Sequence, residues 1–203
     1  MKKIIVLLAL WPSLGAAQDA GLDLNLFDIN ATHQPPPWAA GVSDPERLQA
    51  LTRTQIIDTQ LGDGSALYGY DVVPEEDSFS DPSQLYRIMG QDKRSGPPQG
   101  YLNGEINKYG AACTDAVLQD LIKSETRAMA LLFCSSLKEM PDKGEIAIVD
   151  MNRLAGSDTL VMQFYQVWGP SFEVSDQASW PASPEHLQAA IQSLTNLALS
   201  RVD

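Results

Sequence analysis

Hydrophobic and polar residues alternate in the first third of the chain in a way that predicts β-strands. Leu22 to Leu26 alternates strictly, and further apolar residues extend the segment to Ile29. A period of two is typical of a half-buried strand. Two strand-like runs, residues 55–61, which are rich in β-branched side chains, and residues 66–73, flank Asp63-Gly64, a dipeptide common in turns. These two runs therefore predict a hairpin with a long loop.

Prolines mark the boundaries of the elements that follow the first strand. Residues 35–37 are three consecutive prolines, which predict a stiff connector because each ring fixes φ and removes a donor. Asp44-Pro45-Glu46 is typical of the start of a helix, here a short one ending around Leu51. Residues 74–111 carry the weakest pattern, and predict exposed loops around one short element, Gln84 to Met89.

The apolar spacing changes to a helical one after residue 113. Residues 114–123 place Val117, Leu118, Leu121 and Ile122 on one stripe, which predicts a helix. A second stripe, Met129, Leu132, Phe133 and Leu137, predicts another helix that continues to Met140.

The last third of the chain predicts a hairpin and a helix. The apolar run 145–150 and the alternating run 159–168 are separated by a loop containing Gly156, which favours a β-hairpin. Ser183-Pro184-Glu185 is a strong helix start, and an apolar stripe continues from it to Ala198. This mixture predicts an α+β fold with helices packed on a mainly antiparallel sheet. We expect residues 18–43 to form an N-terminal arm and residues 44–203 one domain.

The N-terminus predicts export. Lys2 and Lys3 precede an apolar run from Ile4 to Trp11, and Gly15-Ala16-Ala17 follows. A basic start, a short apolar run and small residues are typical of a secretory signal peptide, here residues 1–17 with cleavage after Ala17. The run is too short to cross a bilayer, which takes about twenty residues. We therefore expect a periplasmic or secreted protein without stable membrane insertion.

The chain has two cysteines, Cys113 and Cys134, and an oxidising compartment favours a disulfide between them. A continuous helix between them would hold the two residues about 30 Å apart, whereas a disulfide needs α-carbons within about 7 Å. We therefore expect the chain to reverse near Ser124, between the two predicted helices.

The net charge of −12 excludes some partners and favours others. A strongly acidic surface repels phosphate groups, so the sequence argues against nucleic-acid binding. It attracts a basic protein partner, although acidic residues also simply keep an exported protein soluble.

Candidate catalytic patterns are incomplete. Ser135 and Lys138 match the Ser-x-x-Lys spacing of serine acylases, but the other motifs of that class are missing. The two histidines, His33 and His186, are too few for a typical zinc site once the cysteines pair with each other. The sequence predicts no cofactor, no metal and no assigned catalytic residue.

Two function classes remain. The first is a non-enzymatic binding protein, such as an inhibitor, an immunity-type protein or an envelope accessory factor. The alternative is a small hydrolase that acts on cell-wall or glycan material through a pair of carboxylates. For a binding protein, the candidate contact residues are an acidic loop and the alternating N-terminal segment, which has the pattern of a strand that could add to a partner's sheet. These residues are Glu75, Glu76, Asp77, Leu22, Leu24 and Leu26.

Overall fold

A computed structural model describes residues 21–202. The predicted signal peptide, residues 1–17, lies outside this range. The α-helices are α1 (Pro45–Leu51), α2 (Pro98–Ala112) and α3 (Pro184–Thr195). The strands are β1 (Leu22–Leu26), β2 (Ile29–His33), β3 (Thr52–Gln60), β4 (Ala66–Pro74), β5 (Gln84–Gln91), β6 (Ala116–Lys123), β7 (Arg127–Cys134), β8 (Lys143–Arg153), β9 (Leu160–Pro170) and β10 (Ala198–Arg201). Among residues 21–202, none of the helices combines the length and apolar character needed to cross a membrane.

Seven antiparallel strands form the central sheet, in the order β3-β4-β5-β9-β8-β7-β6. Two hairpins predicted from the sequence, β3-β4 and β8-β9, are neighbours in it. One face of the sheet packs against α3, and the other packs against α2. The predicted α+β class is confirmed.

A second sheet of three antiparallel strands, in the order β1-β2-β10, joins the two ends of the described chain. Its residues Leu26, Ile29 and Ala31 are buried in the same apolar cluster as α3. The predicted strand near residue 22 is confirmed, whereas β2 and β10 were missed. The last helix starts as predicted, with the Ser183 hydroxyl accepting a hydrogen bond from the His186 backbone N–H, but it ends at Thr195.

The two helices predicted between residues 114 and 140 are wrong, because both segments are strands. In β6, a bulge between Asp120 and Ile122 turns both Leu121 and Ile122 toward the α3 side. The bulge interrupts the period of two, so the spacing of the apolar residues in β6 resembles that of a helix. β7 is buried on both faces, and a continuous apolar run does not distinguish a buried strand from a buried helix.

The predicted disulfide between Cys113 and Cys134 is confirmed, with 5.5 Å between the α-carbons. The predicted reversal near Ser124 is also confirmed, since Ser124 closes the turn between β6 and β7 by accepting from and donating to Arg127. The elements that the disulfide joins differ from the prediction. Cys113 directly follows α2, and Cys134 is the last residue of β7.

Helix α2 lies in the segment that the sequence predicted to be loops. Its fifteen residues contain three glycines and only two large buried apolar side chains, Leu102 and Ile106, so the helical stripe is weak. The sequence did contain one start signal, because Pro98 occupies the first helical position after Pro97.

Candidate binding groove

Helix α2 covers only part of its face of the sheet. It packs on β6, β7 and β8, where Leu102 and Ile106 meet small residues such as Ala128 and Ala130. The same face of β9, β5 and β4 is left beside the helix as the floor of a groove of about 750 Å³. We call this depression the binding groove.

The floor of the binding groove is apolar and rich in methionine. Met89, Met162 and Met151 are direct cross-strand neighbours on β5, β9 and β8. Phe164 lies in the adjacent row. Met89 is half-buried, whereas 0% of Met151, 5% of Met162 and 4% of Phe164 are exposed. Methionine is flexible and polarisable, so Met89 is the part of this floor that can adapt to a neighbouring side chain.

One wall of the groove is α2, whose Tyr101, Glu105 and Tyr109 line it beside a second stripe that contains two glycines. Gly100, Gly104, Lys108 and Ala112 follow each other at four-residue spacing and line the groove. A Cβ atom added at Gly100 or Gly104 would meet nothing within 4 Å, so the packing of this chain does not require glycine there. Each glycine costs a helix about 1 kcal/mol relative to alanine. The two glycines therefore cost the helix stability and leave this part of the groove wall without side chains.

Two arginines place positive charge along the groove. Arg87 donates two hydrogen bonds to Asp71, at 2.5 and 2.7 Å, and its guanidinium lies 5.9 Å from the centre of the Phe164 ring. Arg94 pairs with Asp63 at 3.0 Å and lies 6.0 Å from the centre of the Tyr101 ring. Both guanidiniums are held in place by a carboxylate and an aromatic ring.

Glu145 is a buried acid among the residues that line the groove. Only 5% of this residue is exposed. Its Oε1 accepts a hydrogen bond of 2.7 Å from the Gln166 amide, and Trp168 is its cross-strand neighbour on β9. Burial raises the pKa of Glu145 above the usual value, and the polar side chains of Gln166 and Trp168 oppose the rise. Burial also raises the pKa of the neighbouring Tyr109.

Both histidines belong to the opposite face of the sheet. The Nδ1–H of His33 donates to the Gln34 carbonyl at 2.8 Å, which leaves Nε2 to accept from the Tyr70 hydroxyl at 2.5 Å. His186 bonds through Nε2 to the Tyr165 hydroxyl. Within residues 21–202, no group of three or more His, Cys, Asp or Glu side chains is placed to hold a metal ion.

The binding groove combines its apolar floor with the fixed charges of Arg87 and Arg94 at its margins.

The weak Ser-x-x-Lys pattern does not form a catalytic pair on a helix. Ser135 and Lys138 lie in the segment that follows β7. The Lys138 ammonium donates to the carbonyl of Ala111 at 2.6 Å, near the end of α2. Lys138 therefore serves to anchor that helix end.

The candidate contact residues from the sequence lie outside the binding groove. Glu75 is exposed and pairs with Arg53 at 3.4 Å, and Glu76 is exposed beside it. Asp77 holds its own loop, since its Oδ2 accepts from the backbone N–H and the hydroxyl of Ser83 at 2.6 and 2.7 Å. Leu22 and Leu24 are half-buried and Leu26 is fully buried. Their role in partner binding stays a prediction.

Asp77 also lines a second depression, which we call the acidic cleft. Asp77, Asp81 and Asp142 surround it, and Lys143 pairs with Asp81 at 2.7 Å. Trp168 lines the acidic cleft and lies directly opposite Glu145 of the binding groove on the neighbouring strand. The two depressions therefore meet at this tryptophan.

The sequence reasoning missed the groove, although two of its signals are visible in the sequence. Glycines 100 and 104 are four residues apart after a proline helix start, which places them on one helix face. Met162 lies in one strand of the predicted hairpin 145–168, and Met151 directly follows the other. Only the register and the position of α2 bring these signals together.

No protein-family model matches the chain, and no curated protein matches it. Two solved structures are similar to it. The crystal structure of the Saccharomyces cerevisiae Ran-binding protein Mog1p shares 17% identity with a TM-score of 0.48, and covers 90% of this chain and 96% of its own. A single-substitution mutant of protein Mog1 gives 16% identity, a TM-score of 0.47 and the same coverage. A TM-score of this size and an identity this low carry no conclusion about function.

Proposed function

We propose that the chain is a non-enzymatic binding protein that works outside the cytoplasm and holds a segment of a partner protein in the binding groove. The observation that carries this proposal is the pair of glycines in α2. Gly100 and Gly104 leave space that no residue of the described chain fills. Glycine in such a place lets another backbone approach closely.

The site of action rests on the sequence of the N-terminus and on the disulfide. A basic start followed by a short apolar run is the pattern of an exported protein. The Cys113–Cys134 disulfide is stable in an oxidising compartment, which agrees with export.

The chemistry of the partner follows from charge. The chain carries −12 overall, and the acidic cleft adjoins the groove at Trp168. A partner with basic residues flanking an apolar segment would set its apolar side chains beside Met89 and direct its charges away from Arg87 and Arg94, toward Asp77 and Asp142. Such an association weakens as salt rises, because exposed charges are screened.

The test uses two matched substitutions on the same helix. Gly104→Leu fills the groove, whereas Gly110→Leu adds the same side chain at a position that does not line it. Neither added Cβ has an atom within 4 Å. Both proteins would serve as bait in an envelope extract of the source cells at low and high salt. We expect Gly110→Leu to retain a salt-sensitive partner and Gly104→Leu to lose it; equal capture by both would overturn the groove assignment.

A hydrolase is the second candidate, and Glu145 is the observation that favours it. A carboxyl whose pKa is raised by burial fits a general acid, and Glu105 lines the same groove. Against this, the carboxylate is nearly inaccessible and already bonded to Gln166. Turnover of cell-wall or glycan material by the purified protein, abolished by Glu145→Gln, would establish the hydrolase; partner capture unchanged by Glu145→Gln would favour the binding protein.

A further inference from the structure

The two edges of the seven-stranded sheet are built differently. At one edge, β6 contains the bulge at Asp120 and Ile122 and carries Asp120 and Lys123, which are features that prevent a further strand from pairing. At the other edge, β3 pairs with β4 in unbroken register over nine residues. Seven of those nine residues are exposed. Among residues 21–202, β4 is the only strand paired with β3.

The hydrogen-bonding groups on the open side of β3 follow from its register. The Glu75 N–H donates to the Leu51 carbonyl, and the Leu61 N–H donates to the Ser65 carbonyl. Leu51 and Leu61, which flank β3, therefore belong to hydrogen-bonded pairs. Because hydrogen-bonded and non-hydrogen-bonded pairs alternate along an antiparallel ladder, the odd-numbered residues of β3 bond to β4. Pro74, which has no N–H, lies opposite Thr52 and agrees with this alternation. Thr54, Ile56 and Asp58 therefore turn their backbone N–H and C=O groups to the open side.

The side chains of the same three residues share one face of the sheet. Ile56 lies at the middle of β3 and is 70% exposed, the largest exposure among the large apolar residues described. Tyr68, opposite Asp58 on β4, is also exposed. An open edge with an exposed apolar centre is a surface that accepts another strand.

We propose that β3 pairs with β3 of a second copy of this chain, antiparallel about a two-fold axis at Ile56, and joins the two sheets. In this register Ile56 faces its own counterpart and Thr54 faces Asp58 of the second copy. The pairs repeat symmetrically, as a two-fold interface requires. No like charges oppose each other, because Arg53 and Asp58 are the charged residues of the strand and Arg53 lies opposite Thr59.

A second copy fits this edge better than a basic partner. The exposed part of β3 carries one positive and one negative charge, so it does not share the acidic character of the whole chain. One strand pair forms a small interface, which is typical of weak and transient association. We expect a monomer–dimer equilibrium between about 10 µM and 1 mM.

The register itself can be tested with charges at Thr54. Thr54→Asp places two acids opposite each other twice in the dimer, whereas Thr54→Lys creates two opposite-charge pairs with Asp58. We expect Thr54→Asp to raise the dimer dissociation constant about tenfold and Thr54→Lys to lower it about tenfold. Sedimentation velocity of the purified protein, expressed from the full-length sequence and without any partner, measures both constants.

Gln55→Asp and Gln55→Lys are the matched controls. Gln55 is exposed on the opposite face of β3, where the proposed register sets it against Ile57 of the second copy, so its charge forms no pair across the interface. Within one chain it lies opposite Asp71 of β4, so the two variants differ in the stability of the fold, which denaturant unfolding measures separately. We expect a shift much smaller than at Thr54 for both. A wild type that stays monomeric at about 1 mM, or Thr54 variants that behave like the Gln55 variants, would overturn the proposal. Because no partner is present, these results do not depend on the binding groove.

Discussion

Cys113 and Cys134 tie the end of α2 to the end of β7, with 5.5 Å between their α-carbons. Since α2 is one wall of the binding groove, this bond fixes the wall against the sheet. The Lys138 ammonium, bonded to the Ala111 carbonyl, also holds this helix end. The width of the groove therefore depends on contacts near residue 113.

Removing the disulfide should loosen α2 and destabilise the fold. The double substitution Cys113→Ala, Cys134→Ala opens a loop of 21 residues, and we expect it to lower the free energy of unfolding by about 2–4 kcal/mol. Denaturant titration measures this change. Amide exchange should accelerate in α2 more than in α3, which the disulfide does not touch. Uniform exchange in both helices would contradict the role assigned to this bond.

Replacing a groove glycine with alanine should stabilise the protein. Gly104 lies in a helix with room for a Cβ, so we expect Gly104→Ala to raise the free energy of unfolding by about 0.5–1 kcal/mol. Gly64→Ala is the contrasting variant, because Gly64 has a φ of +78° and alanine is strained there. A loss of stability in Gly104→Ala would show that the fold itself needs this glycine.

Arg127 and Asp150 form an ion pair, and removing the arginine alone should strongly lower the free energy of unfolding. Arg127 donates to both carboxylate oxygens of Asp150, at 3.0 and 2.7 Å, and also to the carbonyls of Leu194 and Thr195 at the end of α3. Asp150 is fully buried. Arg127→Met leaves that carboxylate unpaired, and we expect a loss of about 3–5 kcal/mol.

The double substitution Arg127→Met, Asp150→Asn serves as its control. It removes the buried charge as well, so thermal or denaturant unfolding should show part of the stability restored. A double variant no more stable than Arg127→Met alone would mean that the contacts to α3, rather than the charge pair, carry the effect.

His33 should make the protein sensitive to mild acid. Burial lowers the pKa of His33 below its usual 6.5, while the Gln34 carbonyl and Asp23 oppose this change. A lowered histidine pKa means that the unfolded chain binds the proton more readily. Stability from this group is therefore present above pH 6.5 and is lost as the pH falls toward the lowered value.

The comparison of wild type with His33→Asn isolates this contribution. Burial also raises the pKa values of Glu145 and Asp150, which therefore stabilise the fold more as the pH falls, and burial lowers the pKa of His186. These three groups are present in both proteins, so their contributions cancel in the comparison. We expect the difference in unfolding free energy between the two proteins to shrink as the pH falls from 6.5 to about 5. A difference that is constant over this range would refute the assignment.

Sequence reasoning predicted elements whose signals are local. The hairpins and the start of α3 depend on turn residues, alternation and a Ser-Pro-Glu cap, and all of these act within a few residues. It failed for β6 and β7, where a bulge and burial on both faces replace the period of two. It also failed for α2, whose glycines reduce the apolar stripe that identifies a helix.

The binding groove could not be predicted for a different reason. It is the part of the sheet face that α2 does not cover, so it exists only once the helix has packed on β6, β7 and β8. The acidic residues Glu75 to Asp77 were visible in the sequence, but Asp142 joins Asp77 and Asp81 only through the fold.

Photo-crosslinking tests the central claim, that the binding groove holds a partner, most directly. A photoreactive residue replaces Lys108, at the groove wall, or Ala189, an exposed residue of α3 on the opposite face of the sheet. Each protein is irradiated in an envelope extract at low salt, with the Gly104→Leu substitution added in a parallel sample. Our account predicts a discrete crosslinked partner from position 108 that Gly104→Leu abolishes, and none from position 189. The same partner from position 189, or a crosslink at position 108 that persists with Gly104→Leu, would contradict it.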